Sequence, residues 1–451
     1  MRQPPAGFDC DVFVVGGGPG GATLATLLAR AGRSVMLAER EHHPRFHIGE
    51  SLLPANVRLF EDLGVREEVE RIGMPKWGVE FVSQQHRHHS FVEFGDAWDK
   101  SMPMAWQVRR SELDQILFQR AATAGAHTQQ GCAVRKVEFD AEGVSVTART
   151  QTQGEAPTEQ RWRARYLVDA SGRDTLLANQ FGTKRKHKTH NSAALFGHFR
   201  GAKRLEGKLE GNITIFWFAH GWFWFIPLVD GTTSIGAVCW PQYLKSRDKQ
   251  PLKDFFLDTI AMAPALAARL AGAELVDAAV HATGNYAYAA DEASGERHLM
   301  VGDAYAFVDP VFSSGVYLAM ASAYAALPVI ETTLDTGPAA ARAARQRYEA
   351  HMRKGPREFT WFIVRMTNPA IRELFMHPRN FLRTQEAVLG LLAGDIFGRT
   401  PLWQGLRAFK AIYYITSLFM LPRAFKAWRM RRAKLRDAGE LKGDNVMVPA
   451  R

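Results

Sequence analysis

Hydrophobic and polar positions in the first forty residues predict a strand, a turn, a helix and a second strand. Residues 11–16, DVFVVG, form an apolar run with the length of a buried strand. Residues 17–32, GGPGGATLATLLARAG, repeat apolar positions with a helical period and end in glycine. Residues 34–40, SVMLAER, return to an apolar strand. The pattern therefore predicts a βαβ unit at the beginning of the chain.

Later stretches alternate apolar and polar residues, which predicts strands rather than helices. Residues 134–149, VRKVEFDAEGVSVTAR, indicate two strands joined by a hairpin turn at DAEG, and 213–240 indicate consecutive antiparallel strands. Two further apolar stretches, 164–173 and 298–310, run from a strand into a turn. A helix is expected from about Gly315, and the pattern is helical from about residue 338. We therefore expect an α/β fold with an antiparallel sheet and a helical C-terminal region.

Composition places the chain among globular proteins of a reducing compartment. The 451 residues are 46% hydrophobic, which allows a large core. Cys10, Cys132 and Cys239 are too widely spaced for a disulfide framework or a metal site. No charged and apolar leader opens the chain, and the apolar stretch 411–421 is shorter than the roughly 20 residues of a membrane span. The expected location is cytoplasmic.

Charge is concentrated near the C-terminus. The net charge is +11, and residues 423–436, RAFKAWRMRRAKLR, hold seven basic residues and no acidic one. This segment is a solvated helix, a docking face for an acidic partner, or a peripheral contact with anionic lipid. No nucleic-acid-binding motif is present, so nucleic acid is not an expected partner. The histidine run HRHH at 86–89 has no carboxylate or cysteine at ligand spacing, so we expect an exposed loop and no metal.

The glycines after the first strand indicate a dinucleotide site. Gly16, Gly18 and Gly21 have G-x-G-x-x-G spacing between the predicted strand and helix. The first permits a tight turn, the second permits close approach of a pyrophosphate, and the third permits packing of helix on strand. Glu39 ends the second strand at the distance that suits a ribose hydroxyl pair. These residues do not distinguish FAD from NAD.

Three other stretches resemble the FAD-dependent hydroxylase superfamily. GDAYAFVDP (302–310) resembles its second FAD motif, VDASGR (168–173) a third conserved stretch, and VRRSELD (108–114) the segment with an arginine near the pyrophosphate. The resemblance implies a Rossmann-like FAD-binding domain. Asp303 would bond the ribityl chain, Arg110 would lie near the pyrophosphate, and the helix after SSGV (313–316) would point at the flavin ring. A helix N-cap is a compatible reading of Asp303.

Within that superfamily the chain resembles the flavin-dependent halogenases, in their pyrrole and phenol halogenase-like branch. GWFWFIP (221–227) matches a W-x-W-x-I-P string, DPVFSSGV (309–316) resembles a halide-side loop, and FHIGESLLP (46–54) and MHPRNFLRTQEAVLGLLAGDIFG (376–398) also match. The resemblance implies that Ser314 and Gly315 bind halide and that Trp222 and Trp224 form a wall between flavin and substrate. Lys76 lies where that family has its active-site lysine, before Trp77 and Gly78.

The resemblance also implies an activity. Reduced FAD from a separate flavin reductase, O2 and chloride or bromide would yield hypohalous acid. Lys76 would hold this oxidant beside an electron-rich aromatic, a phenol or pyrrole, free or bound to an acidic carrier protein. We expect a FAD-binding halogenase core over residues 1–337, with an interleaved substrate-side sheet at about 80–110 and 185–285. A helical C-terminal region with a basic tail is expected over 338–451.

Other readings remain open at this point. The same fold serves FAD-dependent aromatic monooxygenases and prenyl-type reductases, and a non-catalytic FAD-binding membrane-surface protein would use 411–421 and the basic run as an anchor. Taken singly, Lys76 is a solvated loop residue and the two tryptophans are part of an aromatic core.

Overall fold

The computed structural model describes residues 3–151, 156–187, 190–276, 279–307, 309–398 and 400–436. Within these ranges the chain forms twenty strands. They are β1 Cys10–Val15, β2 Val35–Ala38, β3 Gly73–Lys76, β4 Gly78–Ser83, β5 Ser90–Glu93, β6 Ala105–Val108, β7 His127–Gln129, β8 Cys132–Phe139, β9 Val144–Thr150, β10 Thr158–Asp169, β11 Lys184–Lys186, β12 Ser192–Arg200, β13 Ile213–Phe218, β14 Gly221–Pro227, β15 Thr232–Cys239, β16 Glu274–Leu275, β17 His281–Tyr286, β18 Tyr288–Ala290, β19 His298–Met300 and β20 Ala306–Phe307.

The same described ranges contain fourteen α-helices. They are α1 Pro19–Arg30, α2 Ala55–Leu63, α3 Arg66–Arg71, α4 Arg110–Ala124, α5 Leu176–Gln180, α6 Pro241–Lys245, α7 Leu252–Ala261, α8 Pro264–Arg269, α9 Gly315–Thr336, α10 Arg342–Ile363, α11 Pro369–Met376, α12 Thr384–Ala393, α13 Leu402–Phe419 and α14 Leu421–Arg436. The predicted βαβ opening is β1, α1 and β2, and the predicted helix at Gly315 is α9.

A seven-stranded sheet forms the first layer, in the order β7-β2-β1-β10-β9-β8 with β19 also paired to β10. Its pairs β2–β7, β1–β2, β1–β10 and β10–β19 are parallel. The fully buried apolar strand β1 lies inside this part, as parallel strands covered on both faces require. The predicted hairpin is β8–β9, where Asp140 Oδ1 accepts hydrogen bonds from the Glu142 and Gly143 amides.

An eight-stranded sheet, mostly antiparallel, forms the second layer, in the order β16-β12-β15-β14-β13-β4-β5 with β17 also on β12. Alternate residues of β14 face opposite sides of it. Trp222 and Trp224 join the core under the C-terminal helices, whereas Phe223 and Phe225 join the core under α7 and α8. The predicted antiparallel strands of 213–240 are β13, β14 and β15. The fold class is therefore α/β with a helical C-terminal region, as predicted, while the boundary at residue 337 stays a prediction.

Helix α9 connects the two layers. It packs on α1 beside the parallel sheet and contributes Val316 and Met320 to that core, and Tyr317 and Ala321 to the core of the second sheet. Among the described helices, α9 alone is long and apolar enough to cross a membrane, but half of its apolar window is buried. That burial is typical of a core helix in a soluble protein. The cytoplasmic location stays a prediction.

Candidate active site

The loop between β1 and α1 carries the glycine fingerprint. Gly16 has a φ of +102°, and a Cβ there would lie 2.3 Å from the Ala170 carbonyl oxygen. A Cβ on Gly21 would lie 2.0 Å from the Gly16 carbonyl oxygen, so α1 packs directly on the loop. A Cβ on Gly18 would meet open space, with Arg45 Nη2 nearest at 3.7 Å. The fold itself requires Gly16 and Gly21, whereas Gly18 keeps space free at the N-terminus of α1.

Glu39 follows β2 directly, and its buried carboxylate holds the glycine loop. Its Oε2 accepts a hydrogen bond from the Gly17 amide at 2.8 Å, and its Oε1 accepts one from the Glu41 amide at 3.0 Å. Arg45 Nη2 lies 3.6 Å from Glu39 Oε2. The carboxylate thus lies beside the phosphate-binding loop, where the spacing predicted it. Its role toward a ribose stays a prediction.

Two arginines converge on one buried carboxylate at the edge of this cleft. Arg110 Nε and Nη2 donate to Asp114 at 2.9 and 3.1 Å, and Arg45 Nη1 donates to it at 3.2 Å. Burial by itself would raise the pKa of Asp114, but the two guanidinium groups outweigh it and hold the pKa below its usual value. Arg45 also lies beside Glu39, and its Nη2 is the atom nearest to a Cβ on Gly18, so a guanidinium group is in place to pair with a pyrophosphate. The sequence pointed to Arg110 but not to Arg45. The available signal was position, because Arg45 directly precedes the stretch FHIGESLLP (46–54).

Asp303 lies in the turn after β19. Burial raises the pKa of its carboxyl to about 6, against the opposing charges of Arg173 and Arg110. Arg110 therefore lies close enough to Asp303 to act on its charge. A carboxyl with this pKa both accepts and donates hydrogen bonds near neutral pH, which suits a hydroxyl-bearing chain. The bond from Asp303 to the ribityl chain stays a prediction.

The N-terminus of α9 faces open space. Ser313 adopts a φ of +57° just before the helix, and Ser314 is the buried N-cap residue, without a side-chain capping hydrogen bond. A Cβ on Gly315 would have no neighbour within 4 Å. The first amides of a helix carry partial positive charge, so this space favours an anion or an electron-rich ring edge. The start of α9 is therefore suited to an anion, and halide binding by Ser314 and Gly315 stays a prediction.

Lys76 lies at the end of β3, on the wall of a small cavity of about 20 Å³ between the second sheet and the C-terminal helices. Its side chain is 1% exposed, so it is not a solvated loop residue. Its Nζ donates to the Leu52 carbonyl oxygen and lies within hydrogen-bond distance of Ser51 Oγ, both at 3.0 Å. The other lining residues come from six separate segments: Leu53, Val79, Phe81, Phe94, Ile213, Ile215, Val311, Phe312, Ser313 and Leu392.

The walls of this cavity resist oxidation. The chain has 14 methionines, 11 tryptophans, 10 tyrosines and 3 cysteines. None of these is among the described residues that line the cavity, which are aliphatic or phenylalanine except for Lys76 and Ser313. The amine of Lys76 is thus the group in the lining that reacts most readily with an electrophilic oxidant.

Burial lowers the pKa of Lys76 to about 7, because an ammonium ion loses its hydration there. Desolvation is the cause, and no carboxylate contributes to the shift. A large fraction of the side chain is therefore a neutral amine near pH 7. A neutral amine has a nucleophilic lone pair that an ammonium ion lacks.

Replacing Lys76 by methionine is expected to raise the free energy of unfolding by roughly 2 kcal/mol at pH 7. A folded pKa of about 7, against 10.5 for an ordinary lysine, makes burial of this group cost about 4 kcal/mol at pH 7, and the two lost hydrogen bonds offset about half of it. Between pH 7 and pH 10.5 the unfolded chain binds more protons than the folded chain, so the free energy of unfolding of the wild type rises with pH. Urea titrations should show that the Lys76→Met variant exceeds the wild type in free energy of unfolding by less at pH 9.5 than at pH 6.5. A difference that does not change with pH would contradict the lowered pKa of Lys76.

Trp222 and Trp224 point to the same face of β14, as predicted, with ring centroids 6.2 Å apart. Trp224 Nε1 donates to Ser234 Oγ at 3.1 Å, and both tryptophans are buried. Neither is on the wall of the Lys76 cavity, because β13 lies between β14 and β4. Their role as a wall between flavin and substrate stays a prediction.

Trp222 instead lines a second small cavity of about 20 Å³ on the same side of the sheet. Asp309 lies on its wall and accepts a hydrogen bond from Ser192 Oγ at 2.6 Å, and its carboxylate is 3.1 Å from His190 Nε2. The loop that starts at Asp309 supplies Val311, Phe312 and Ser313 to the Lys76 cavity. This loop therefore contributes to both cavities, which no local pattern in the sequence revealed.

The residues of the cleft fit a flavin dinucleotide. The space at Gly18, the arginines beside it and the carboxylate of Glu39 match a pyrophosphate and a ribose at one end. Asp303 and the open N-terminus of α9 match a polyol chain and a flavin ring at the other. These features occur at the ends of parallel strands, where such sheets bind their ligands.

Sequence comparison reveals related proteins. The pattern of the family described as FAD binding domain matches residues 9–354. A tryptophan 2-halogenase of Chondromyces crocatus is 34% identical over 75% of this chain and 65% of its own length, so the chain spans less than two thirds of that relative. A 1H-pyrrole-2-carbonyl peptidyl-carrier protein chlorinase of Pseudomonas fluorescens is 30% identical over 86% of this chain and 90% of that protein.

Solved structures show the same architecture. The myxobacterial chondrochloren halogenase, described as a variant of FAD-dependent halogenases, superimposes with a TM-score of 0.74 at 31% identity, covering 91% of this chain and 97% of that one. A flavoprotein/dehydrogenase from Cytophaga hutchinsonii superimposes with a TM-score of 0.81 at 25% identity, covering 91% and 99%.

Proposed function

Because the chain belongs to the FAD binding domain family and, within it, to the flavin-dependent halogenases, we propose that it halogenates an electron-rich aromatic ring with hypohalous acid held by Lys76. When bound, reduced FAD and O2 supply the oxidant that converts chloride or bromide to hypohalous acid. The observation that carries the proposal is the buried, partly neutral amine of Lys76 in a cavity whose described lining residues include no Met, Trp, Tyr or Cys.

The chain's own groups account for the halogen transfer. The Lys76 amine displaces hydroxide from hypohalous acid, so that an N–halogen bond forms, the O–halogen bond breaks, and water leaves with one amine proton. The aromatic carbon then takes the halogen, and the ring proton returns to the nitrogen. Alternatively the amine holds the acid by a hydrogen bond. In either case Leu52 O and Ser51 Oγ fix the amine at the cavity wall.

Halide and electron supply test this function. With NADH and FAD but no reductase, turnover is expected to be near zero, and adding a flavin reductase should start it. The product mass should follow the halide supplied, chloride or bromide, across a panel of free and carrier-bound phenols and pyrroles. Rapid NADPH oxidation by the protein alone, with an oxygenated or reduced product, would instead favour an aromatic monooxygenase or a prenyl-type reductase.

We propose further that the substrate is presented on an acidic carrier protein. The Pseudomonas relative is named as a chlorinase of a pyrrole-2-carbonyl group on a peptidyl carrier protein, and α13 and α14 offer a basic surface here. Exposed basic residues Arg423, Lys426, Arg429 and Arg432 lie among exposed apolar ones, and the latter are Tyr414, Ile415, Leu418, Phe419, Leu421, Phe425, Trp428 and Met430. α13 packs on α12, whose Leu392 lines the Lys76 cavity, so a docked carrier would lie near that cavity.

Charge reversal on α14 tests the docking surface. Changing Arg423, Lys426 and Arg429 to Glu is expected to raise KM for a carrier-bound substrate about tenfold or more, with FAD content unchanged, because rim charges steer acidic partners. Rising salt should weaken the wild type similarly, since exposed charges are screened over about 8 Å at 0.15 M.

A matched control reverses Arg135, Lys136 and Arg161, which are exposed on strands of the other sheet. An unchanged KM in the α14 variant would rule out carrier docking by α14, and the helix would then be either solvated or in contact with lipid. Vesicles containing anionic lipid distinguish these two outcomes, because only a membrane-contacting helix cosediments with them.

A further inference from the structure

The histidine run between β4 and β5 meets a helix that lies nearly 300 residues later in the chain. Phe375 of α11 stacks on Phe81 of β4 with ring centroids 4.9 Å apart, so apolar packing fixes the helix against the strand. The loop after β4 turns back through a hydrogen bond from the His86 amide to the Ser83 carbonyl oxygen. This arrangement brings His86 to Glu373, across a sequence separation of 287 residues.

The side chains that meet there have the chemistry and spacing of a metal site. His86 Nε2 lies 3.1 Å from Glu373 Oε2, and His377 Nδ1 lies 3.0 Å from Glu373 Oε1. The candidate ligand atoms of all three residues lie within 4.8 Å of one another. A tetrahedral ion with ligand bonds of about 2.0–2.2 Å has ligand-to-ligand edges of roughly 3.3 Å, so only small rotations separate this cluster from coordination.

We propose that His86, Glu373 and His377 bind a divalent transition-metal ion, with Zn²⁺ as the best match. Two imidazoles and one carboxylate suit Zn²⁺, which takes a water molecule as its fourth ligand. Each imidazole coordinates through an unprotonated nitrogen, so its N–H proton moves to the other ring nitrogen. His88 completes the surroundings, because its Nε2 lies 2.8 Å from the Met376 carbonyl oxygen at the end of α11.

The ion would brace the outside of the Lys76 cavity. Phe81 lines that cavity and stacks on Phe375, which lies two residues from Glu373 in α11. Coordination would replace the part-buried hydrogen bond between His86 and Glu373 and the exposed contact between His377 and Glu373 with bonds that close a loop of about 290 residues. An ion that binds the folded chain and not the unfolded chain stabilises the fold. The proposed site is therefore a structural brace and takes no part in halogen transfer.

Metal binding by the tag-free, flavin-loaded protein tests the site. After removal of metal with a chelator, one equivalent of Co²⁺ should give the intense visible bands of a tetrahedral ion, and Zn²⁺ should displace it. Calorimetry with Zn²⁺ should show one site, and Glu373→Gln and His377→Ala should each weaken it at least tenfold. Zn²⁺ should also raise the Tm of the wild type and leave that of the variants unchanged.

The control is His89→Ala, in the same histidine run. His89 Nδ1 lies 2.8 Å from Glu80 instead, so this variant should bind Zn²⁺ like the wild type. Glu373 is 41% exposed, so Glu373→Gln should fold, and its FAD content will verify this. Absence of tetrahedral Co²⁺ bands in the wild type, which needs no variant, would overturn the proposal. Equal loss of affinity in His89→Ala would overturn it as well, since the ion would then lie elsewhere.

Discussion

Replacing Lys76 by alanine is expected to leave a protein that binds FAD and reacts with O2 but forms no halogenated product. The flavin-cleft residues lie outside β3, so the substitution leaves that cleft intact. The cavity would lose the amine that holds the oxidant beside the substrate. Loss of such a nucleophile lowers turnover by about a thousandfold or more. Product mass spectrometry, with the flavin spectrum as a folding check, measures the effect.

Lys76→Arg should be equally inactive. A guanidinium group stays protonated because its pKa is above about 12, so it has no lone pair to give to halogen. Hypohalous acid would then escape from the cavity, and a scavenging dye in the solution would detect it. This leak separates loss of capture from loss of oxidant formation.

Lys208→Ala is the matched control for Lys76. Its Nζ lies 4.9 Å from the ring centroid of Trp77, the residue next to Lys76, but its side chain is exposed and pairs with Glu93. This variant should halogenate at the wild-type rate. If Lys76→Ala halogenates at that rate too, the amine is not part of the reaction, and the proposed function loses its main support.

Replacing Gly18 by valine is expected to give a folded protein that purifies without flavin. Gly18 has a φ of −73°, which any residue adopts, and an added Cβ would meet only Arg45 Nη2, at an ordinary contact distance of 3.7 Å. The side chain would occupy the space needed by a pyrophosphate, and FAD affinity should fall by about a hundredfold or more. Absorbance of the purified protein and titration with FAD measure the loss.

Two other glycines make the Gly18 result specific. Gly21→Val should damage the fold itself, because its Cβ would lie 2.0 Å from the Gly16 carbonyl oxygen. Gly95→Val should keep its flavin, since an added Cβ at Gly95 meets nothing within 4 Å and lies outside the glycine loop. Normal yellow absorbance in Gly18→Val would contradict the placement of the pyrophosphate.

The FAD-binding part of the protein is readable in the sequence because its signals are local. Gly21 is dictated by its contact with the Gly16 carbonyl oxygen inside a single βαβ unit, and Glu39 closes the same unit, whereas the close contact at Gly16 is with Ala170, directly after β10. The start of α9 follows from a short run of serine and glycine after Pro310. The alternation of Trp and Phe in β14 likewise assigns each side chain to one face of a strand, since successive residues of a strand point to opposite sides.

The exposure and the pKa of Lys76 were decided by tertiary structure. The sequence left it open between a loop residue and a reactive amine, and only packing decides its exposure. Its cavity is enclosed by residues from several segments spread from Leu53 to Leu392. Its pKa follows from that enclosure alone, because desolvation depends on every neighbour that excludes water.

The histidine run at 86–89 shows most directly the difference between what local sequence and what tertiary structure decides. Nothing near residues 86–89 in the chain provides a carboxylate at ligand spacing, so the sequence indicated no metal. Packing of Phe375 on Phe81 brings Glu373 to His86. Local sequence determined the strands, helices and phosphate loop, because these depend on backbone preferences and neighbours along the chain. Tertiary structure alone decided the reactive cavity and the histidine cluster, because burial of apolar faces joins segments that no local pattern relates.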